Sequence, residues 1–280
     1  MLDISVAADN ASFASVGGDR TVFLWDVATA QTLRRFGGNQ GHTARINCVA
    51  FAGDGDSVLV SGSFDASVRI WDVRSQSTKP IMVLEEARDS VSCVLAGPAA
   101  AGAAGEHEIL AGSVDGRVRC YDLRKGVVHT DVIGASVTSL QRTRDGRGVL
   151  IGALDSQIRL MDRDAGGLLK AYKHEEWENK EFRMRSIFGG NERWVLCGNE
   201  QVKGDDGEVV VWDTLSGNVV QRIRVSGSRT AGEKQRIGAD GKVKEKKNVV
   251  SCIAWRENGK GDQWSCGGTD GIVTVFGPPS

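Results

Sequence analysis

Three residues in the segment 41–72 have the side chains of a hydrolase triad, and a fourth residue beside them indicates a different role. His42, Ser61 and Asp65 could act as base, nucleophile and orienting acid. A catalytic serine of the hydrolase type needs a sharp turn and nearby oxyanion donors, and neither accompanies Ser61. Once Trp71 is included, every polar group has a partner: ring N–H to carboxylate, hydroxyl to ring, and indole N–H to hydroxyl. The pattern therefore predicts a buried structural network of these four residues and no catalytic residue.

The other His and Cys residues lack the spacing of a metal or cofactor site. None of the six cysteines forms a Cys-x-x-Cys pair, and no Gly-rich stretch is followed by the Lys-Ser/Thr of a phosphate loop. Cys48, Cys93 and Cys252 recur at one position in three similar segments, where a free thiol packs as a small apolar side chain. We expect no metal, no cofactor and no small-molecule substrate, and we expect a reducing compartment.

Three short strands must position the network. Residues 46–51, 57–63 and 67–71 alternate apolar and polar side chains or follow Gly/Asp turns, which is typical of β-strands joined by tight hairpins. An Asp followed six residues later by a bulky residue occurs in six copies: Asp19 and Trp25, Asp65 and Trp71, Asp115 and Tyr121, Asp155 and Met161, Asp206 and Trp212, and Asp270 and Phe276. This repeat resembles the WD40 repeat, one blade of a β-propeller. The sequence therefore predicts an all-β WD40 β-propeller with six recognisable blades, as one domain over residues 1–280.

The polar residues of the second copy are replaced in the copies that follow it. The pairs that take the places of His42 and Ser61 are Ala87 and Ala111, Ile133 and Ile151, and His174 and Val202. Apolar replacement of both partners of a hydrogen bond can be nearly neutral. We therefore expect the later blades to replace the network by apolar packing, and only the second copy to keep all of it.

Bulk charge gives no reason to expect a nucleic-acid or membrane partner. The chain has 35 Lys and Arg against 36 Asp and Glu. It also lacks an apolar run of the roughly 20 residues that span a membrane and a leading secretory signal. A basic insertion covers residues 226–247 and is interpreted as a solvated loop. The alternative is a basic arm for RNA or for an acidic partner, and the lack of an aromatic residue for base stacking counts against RNA. Direct nucleic-acid binding is therefore not expected, and the chain is expected in the cytoplasm, the nucleus or both.

Propeller loops suggest where a protein partner would bind. Residues that flank the inward apolar side chain of each first strand, and the residue before each turn Asp, point to one face of a propeller. On this basis the predicted partner-binding residues are Arg45, Asn47, Phe64, Arg183 and Arg185. Phe64 beside Arg45 is a typical interface anchor.

A second aromatic side chain is a further candidate for the partner-binding face. Trp177 lies in the acidic segment 175–178. Ordinary loop packing is the alternative for Trp177 and for each residue of the predicted face.

Several segments resemble one family of WD40 proteins, the mitogen-activated protein kinase organizer or WD repeat-containing protein 83 family. The resemblance rests on residues 2–36, 84–94, 106–126 and 154–174, including EHEILAGSVDGRVRCYDLRKG. Because family members carry seven repeats, it implies that the first repeat is absent from this sequence. It also implies a non-enzymatic scaffold that assembles components of the ERK kinase cascade and associates with spliceosomes in pre-mRNA splicing.

A short paired motif gives an alternative function. Arg74 and Arg124 each follow an aromatic residue by three positions, in Trp71-Asp72-Val73-Arg74 and Tyr121-Asp122-Leu123-Arg124. This pair resembles the motif of substrate receptors for cullin–RING ubiquitin ligases, in which the two Arg would contact the ligase adaptor. The alternative is that each Arg bonds backbone carbonyls at a blade rim.

Overall fold

The computed structural model describes residues 1–97, 108–202, 206–227, 248–256 and 263–277. Apart from Ser226 and Gly227, the predicted basic insertion 226–247 lies outside the described residues. The chain divides into two compact units, which are described separately. The first unit comprises Met1–Ala153 and Met161–Gly167, and the second comprises Leu154–Leu160 and Leu168–Ser280.

Consecutive strands of the first half form antiparallel sheets, numbered here as blades in chain order. Blade 1 contains β1 (Asp3–Val6), β2 (Ser12–Val16), β3 (Val22–Asp26) and β4 (Thr32–Phe36). Blade 2 contains β5 (Ile46–Ala52), β6 (Val58–Ser63), β7 (Val68–Asp72) and β8 (Met82–Leu84). Blade 3 contains β9 (Val91–Ala96), β10 (Glu108–Ser113), β11 (Arg117–Asp122) and β12 (Val127–Val132). Short 3-10 helices at Gly38–Gln40 and Asp54–Asp56 precede β5 and β6.

The remaining strands form three further sheets. Blade 4 contains β13 (Val137–Arg142), β14 (Gly148–Ala153), β15 (Gln157–Asp162) and β16 (Leu168–Tyr172). Blade 5 contains β17 (Ile187–Gly189), β18 (Trp194–Gly198), β19 (Gly207–Asp213) and β20 (Val219–Val225). Blade 6 contains, within the described residues, β21 (Val250–Trp255), β22 (Trp264–Gly268) and β23 (Val273–Phe276). These six sheets confirm the predicted all-β propeller class.

The turn Asp explains why the hairpin between the second and third strands recurs. In blades 2, 3 and 6 its carboxylate accepts a hydrogen bond from the backbone N–H two residues later, as in Ser67 N to Asp65 Oδ1 at 3.0 Å. The residue between them takes a positive φ: Arg20 at 61°, Ala66 at 62°, Gly116 at 75°, Ser156 at 55° and Gly271 at 78°. Blade 5 differs, because β19 begins at Gly207, directly after Asp206. The six-residue spacing therefore marks this turn in five of the six blades.

The hydrophobic core lies between neighbouring blades. On β7, Trp71 packs into the cluster with blade 1, whereas the adjacent Ile70 packs into the cluster with blade 3. This follows from the period of two residues in a strand, which sends successive side chains to opposite faces. Equivalent clusters join blade 3 to β13 and β14 in the first unit, and blade 5 to blade 6 in the second.

Polar side chains on the first strands connect neighbouring blades of the first unit. Asp3 Oδ2 accepts the backbone N–H of Val49 at 3.1 Å, and Asn47 Nδ2 donates to the carbonyl of Val91 at 2.8 Å. Ser92 Oγ donates to the carbonyl of Val137 at 2.5 Å. Blades 1, 2 and 3 are thus each hydrogen-bonded to the first strand of the next blade.

Candidate functional site

The structure brings His42, Ser61, Asp65 and Trp71 together in one hydrogen-bonded chain. Trp71 Nε1 donates to Ser61 Oγ at 2.8 Å, and Ser61 Oγ lies 2.8 Å from His42 Nε2. His42 Nδ1 lies 3.0 Å from Asp65 Oδ2. Strands β6 and β7 supply the Ser and the Trp, the hairpin between them supplies the Asp, and the loop before β5 supplies the His. These hydrogen bonds therefore tie the loop before β5 to the hairpin between β6 and β7.

The direction of the donors fixes the charge state of the network. Since Trp71 can only donate, the Ser61 hydroxyl donates onward to His42 Nε2, and the imidazole proton lies on Nδ1, facing Asp65. Burial lowers the pKa of His42, against the opposing hydrogen bond with Asp65. Burial alone would raise the pKa of Asp65, but hydrogen bonds from His42 and Ser67 hold it well below its usual range. The network thus pairs a neutral imidazole with a carboxylate.

This geometry makes the network structural. Ser61 is fully buried, and its oxygen is held between the Trp71 indole and the His42 ring. A nucleophilic serine must instead present its oxygen to a substrate carbonyl beside oxyanion donors. The arrangement gives each polar side chain of the network a hydrogen-bond partner and leaves the hairpin tip, with Phe64, facing solvent.

Blades 3 and 4 correct the expectation that apolar packing replaces the network. In blade 3, Arg119 Nη2 donates to Asp115 Oδ2 at 2.6 Å and Nη1 donates to Oδ1 at 3.3 Å. In blade 4, Arg159 and Asp155 form the same two-point pair, at 2.5 and 3.2 Å. The residues in the His and Ser positions are apolar, and the carboxylate of the turn Asp pairs instead with a guanidinium from the third strand. The sequence signal is an Arg four residues after the turn Asp in a blade whose His and Ser positions are apolar. Arg69 has the same spacing from Asp65, but it donates to the carbonyl of Gln40 instead.

Hydrogen bonding also determines the ionisation of Asp115. Its burial would raise the pKa, but the hydrogen bonds from Arg119 and Ser113 lower it to about 2. The Arg119 side chain is only 3% exposed and that of Asp115 is 10% exposed. The pair is therefore a largely desolvated ion pair with a two-point geometry.

Trp177, predicted as a partner contact, is a core residue. It is 2% exposed, its Nε1 donates to the carbonyl of Gly198 at 2.6 Å, and its ring meets the edge of Trp212 at 5.1 Å. The burial of Trp177 overturns its assignment to the partner-binding face. The acidic neighbours suggested an exposed loop, whereas packing against blade 5 determines where the ring lies.

Two further assignments for blade 5 are also wrong. His174 is exposed and accepts the backbone N–H of Glu176 instead of entering a buried network. Because β18 ends at Gly198, the residue at the position of Ser61 is the buried Cys197 and not Val202. Burial raises the pKa of the Cys197 thiol to about 12.

Asn47 is likewise unavailable to a partner. It is 4% exposed, and its Nδ2 donates to Ser90 Oγ at 2.9 Å as well as to the carbonyl of Val91. The sequence rule for face-pointing residues failed here because the amide reaches sideways to blade 3. Asn47 therefore connects blades 2 and 3.

Arg45 and Phe64 form an exposed pair at the tip of blade 2. The Phe64 ring is 53% exposed, and the Arg45 guanidinium carbon lies 4.7 Å from its centroid. The backbone N–H of Phe64 donates to the carbonyl of Arg45 at 3.0 Å, which fixes the two loops against each other. We call these two residues the Arg45–Phe64 pair. In the second unit, Arg183 and Arg185 are exposed in the loop before β17.

Arg74 and Arg124 lie on the loops that follow the third strands of blades 2 and 3. Both side chains are exposed, and their backbone N–H groups donate to Asp72 and Asp122 at 2.8 and 3.0 Å. Arg74 Nη2 also donates to the carbonyl of Asp54 at 3.3 Å. This last contact is the alternative given above for Arg74, a hydrogen bond to a backbone carbonyl at the rim of the blade.

Comparisons with known proteins agree with this geometry. The family model described as "WD domain, G-beta repeat" matches residues 31–72, which include the complete network. The chain is 40% identical to rat WD repeat domain-containing protein 83 over 152 residues, covering 54% of this chain and 44% of the relative. It is 42% identical to the human protein of that name over 151 residues, covering 54% and 43%.

A longer and more divergent match is the WD repeat domain-containing protein 83 homolog of Dictyostelium discoideum. It is 25% identical over 241 residues, covering 79% of this chain and 71% of the relative. In the mammalian comparisons the chain spans about half the length of the curated relatives it matches. The fold and the Trp–Ser–His–Asp network define the chain as a WD40-repeat protein. Within that class the chain is similar to WD repeat domain-containing protein 83 of rat and human over about half of its length.

The described residues contain neither a metal-binding cluster nor a membrane-spanning helix. Three or more His, Cys, Asp or Glu side chains do not come together there in a way that could hold a metal ion. The described part of the chain also contains no helix with the length and apolar character needed to cross a membrane.

Proposed function

We propose that this chain is a non-catalytic scaffold that binds other proteins and that the Arg45–Phe64 pair anchors one of them. The observation that carries the proposal is the 53% exposed Phe64 ring under the Arg45 guanidinium, on a hairpin that the buried network ties to the loop before β5. Aromatic and Arg side chains dominate interface hot spots, and a rigid base reduces the entropy lost on binding.

Electrostatics favours an anionic or mixed apolar and acidic partner segment at this pair. A guanidinium already stacked on a ring keeps its edge free for a carboxylate or phosphate, and Arg binds such groups at two points. Arg183 and Arg185 are proposed as a second set of cationic contacts, with the same preference. The chain as a whole is nearly neutral, so we do not propose that it binds nucleic acid directly.

The resemblance to the mitogen-activated protein kinase organizer family suggests the partners. They would be components of the ERK kinase cascade or spliceosomal proteins in pre-mRNA splicing, in the cytoplasm, the nucleus or both. The chain would need neither cofactor nor small-molecule substrate for this role.

Affinity purification with mass spectrometry tests the proposal. The wild-type chain is expected to retain one of these two protein sets, and Arg45→Ala with Phe64→Ala is expected to lose it because the stacked anchor is gone. Leu123→Ala is the control, since Leu123 is 38% exposed but lies on the loop after the third strand. Equal capture by wild type and the double variant would contradict the assignment of the pair.

A second candidate function is that of a substrate receptor for a cullin–RING ubiquitin ligase. The exposure of Arg74 and Arg124 on equivalent loops of consecutive blades favours it. The same purification separates the two functions. Loss of a ligase adaptor from Arg74→Ala with Arg124→Ala, and not from the Arg45 and Phe64 variant, would favour the receptor.

A further inference from the structure

The loop between β7 and β8 presents a serine to solvent. Its sequence is Arg74-Ser75-Gln76-Ser77-Thr78-Lys79. Ser75 is half-buried, and its Oγ accepts the backbone N–H of Ser77 at 3.1 Å. Ser77 is exposed, and its Oγ accepts the backbone N–H of Lys79 at 3.2 Å. Both hydroxyl oxygens act as acceptors within the loop, but of the two residues Ser77 is the one that another macromolecule can reach.

The position of Arg74 matches the substrate pattern of one class of protein kinase. Basophilic kinases bind an Arg three residues before the acceptor through acidic side chains of their own, and such charge patterns determine which substrate is chosen. The spacing Arg-x-x-Ser occurs twice in the sequence, ending at Ser77 and at Ser186. Arg74 is exposed, and its hydrogen bond to the Asp54 carbonyl is long, at 3.3 Å. A kinase can therefore bind the Arg74 guanidinium at little cost to the fold.

Burial separates the two matches to this pattern. Ser186 follows Arg183 by three residues, but it is 2% exposed and lies directly before β17. A kinase must bring the acceptor hydroxyl to its own catalytic Asp, and for Ser186 that requires the structure around it to open. Residues 73–81 lie between two strands, where local opening costs least. Ser77 is therefore the accessible match.

A guanidinium from blade 1 already contacts this loop. Arg34, on β4, donates from Nη2 to the carbonyl of Ser77 at 2.9 Å and from Nη1 to the carbonyl of Val73 at 2.7 Å. Both of these acceptors are neutral. A phosphate binds a guanidinium more strongly than a carbonyl does, because its hydrogen bonds are charge-assisted and can form at two points. A phosphate on Ser77 would therefore lie beside a cation that can pair with it.

We propose that Ser77 is a phosphorylation site for a basophilic protein kinase and that Arg34 binds the phosphate. In the transfer, the Ser77 oxygen attacks the γ-phosphorus of ATP, and an O–P bond forms as the bond to the β-phosphate oxygen breaks. ADP leaves, and the hydroxyl proton passes to the catalytic Asp of the kinase. The product carries roughly two negative charges at neutral pH. Its pairing with Arg34 joins the blade 2 loop to blade 1 by an ionic contact, where the unmodified chain uses carbonyl acceptors.

Phosphorylation in vitro tests the site. The folded full chain is incubated with ATP and the catalytic subunit of cyclic-AMP-dependent protein kinase, a basophilic kinase, and the phosphate is located by mass spectrometry. The phosphate is expected on Ser77 and not on Ser186. Arg74→Ala should slow its incorporation by roughly tenfold or more, because a charge-assisted contact with the kinase is lost.

Lys79→Ala is the matched control for Arg74→Ala. It removes the same charge from the same loop, but on the other side of the acceptor, so the rate of phosphorylation of Ser77 should change little. A heat-unfolded sample should gain phosphate on Ser186, because burial no longer protects it. Absence of phosphate from Ser77 in the folded chain, or equal rates for wild type and Arg74→Ala, would overturn the proposal.

A phosphorus NMR titration of the phosphorylated chain tests the role of Arg34. The second pKa of a phosphoserine is about 6, and a paired guanidinium favours the doubly charged form. The phosphate should therefore titrate at lower pH in the wild-type chain and in Arg34→Lys than in Arg34→Gln. Arg35→Gln is the control, since the Arg35 guanidinium lies 5.4 Å from the centroid of the Phe23 ring, and it should titrate as wild type. Equal midpoints for wild type and Arg34→Gln would contradict the binding of the phosphate by Arg34.

Discussion

The turn Asp has different hydrogen-bond partners in different blades, and this changes how much its side chain contributes to the stability of the fold. In blade 2 it accepts hydrogen bonds from an imidazole and a hydroxyl, whereas in blade 3 it pairs with a buried guanidinium. In blade 4 the same type of pair is more open to water, with side chains 15% and 29% exposed. Because solvent screening weakens ion pairs, the two Arg–Asp pairs should differ in strength.

Double-mutant cycles measure that difference. Replacing Asp115 and Arg119 by Ala, singly and together, should give a coupling free energy of about 2 kcal/mol, since each single change leaves a desolvated charge. The matched cycle of Asp155 and Arg159 should give about 0.5–1 kcal/mol. Urea denaturation of the seven proteins provides the values. Equal coupling in both blades would show that burial does not determine the strength of the pair.

The pH dependence provides a control for the first cycle. The folded-state pKa of Asp115 is about 2, below that of an unfolded Asp near 4. Its contribution is therefore fully present above pH ~4 and is lost as the pH falls towards 2. The coupling between Asp115 and Arg119 should decline over the same interval.

At the level of elements, the first strand of each blade does more than complete its own sheet. Asp3, Asn47 and Ser92 reach from one first strand to the backbone of the next. A buried carbonyl that loses its donor keeps its full desolvation cost. These residues therefore determine how firmly adjacent blades are joined.

Asn47→Ala tests that role. It should lower the free energy of unfolding by about 1–3 kcal/mol, because two donated hydrogen bonds are lost and the Val91 carbonyl is left buried. Asn218→Ala is the matched control, since Asn218 is exposed, and it should change stability by less than about 0.5 kcal/mol. Calorimetry or urea denaturation measures both. Loss of partner capture by Asn47→Ala without loss of stability would instead restore Asn47 to the partner-binding face.

The hairpins could be predicted from sequence because turn chemistry is local. An Asp whose carboxylate bonds the N–H two residues later sets both the turn and the distance to the Trp at the end of the third strand. The burial and the contacts of a side chain depend on neighbouring blades and could be predicted only in part. Asn47 and Trp177 were expected at the surface, yet each is drawn into a contact with another strand. Arg119 carried a readable signal, its spacing from Asp115, but Arg usually indicates an exposed position.

In the whole molecule the blades repeat, and the stability of each blade depends on its contacts with the neighbouring blades. Blades 2 and 3 each share one apolar cluster with the blade before them and another with the blade after them. The stability of such a chain is close to a sum of blade terms and contact terms between neighbours. Function can then be placed on hairpin tips, because a tip residue such as Phe64 contributes to neither term.

The central claim is that the buried network supports the hairpin and the exposed pair binds. It is tested by measuring melting temperature and partner capture on the same preparations of Phe64→Ala and Asp65→Asn. Phe64→Ala should lose capture at an unchanged melting temperature, because its ring lies outside the core. Asp65→Asn should lower the melting temperature, because the hydrogen bonds from His42 and Ser67 lose their charged acceptor. If Phe64→Ala lost stability and capture together, or lost neither, the assignment of binding to the hairpin tip would be contradicted.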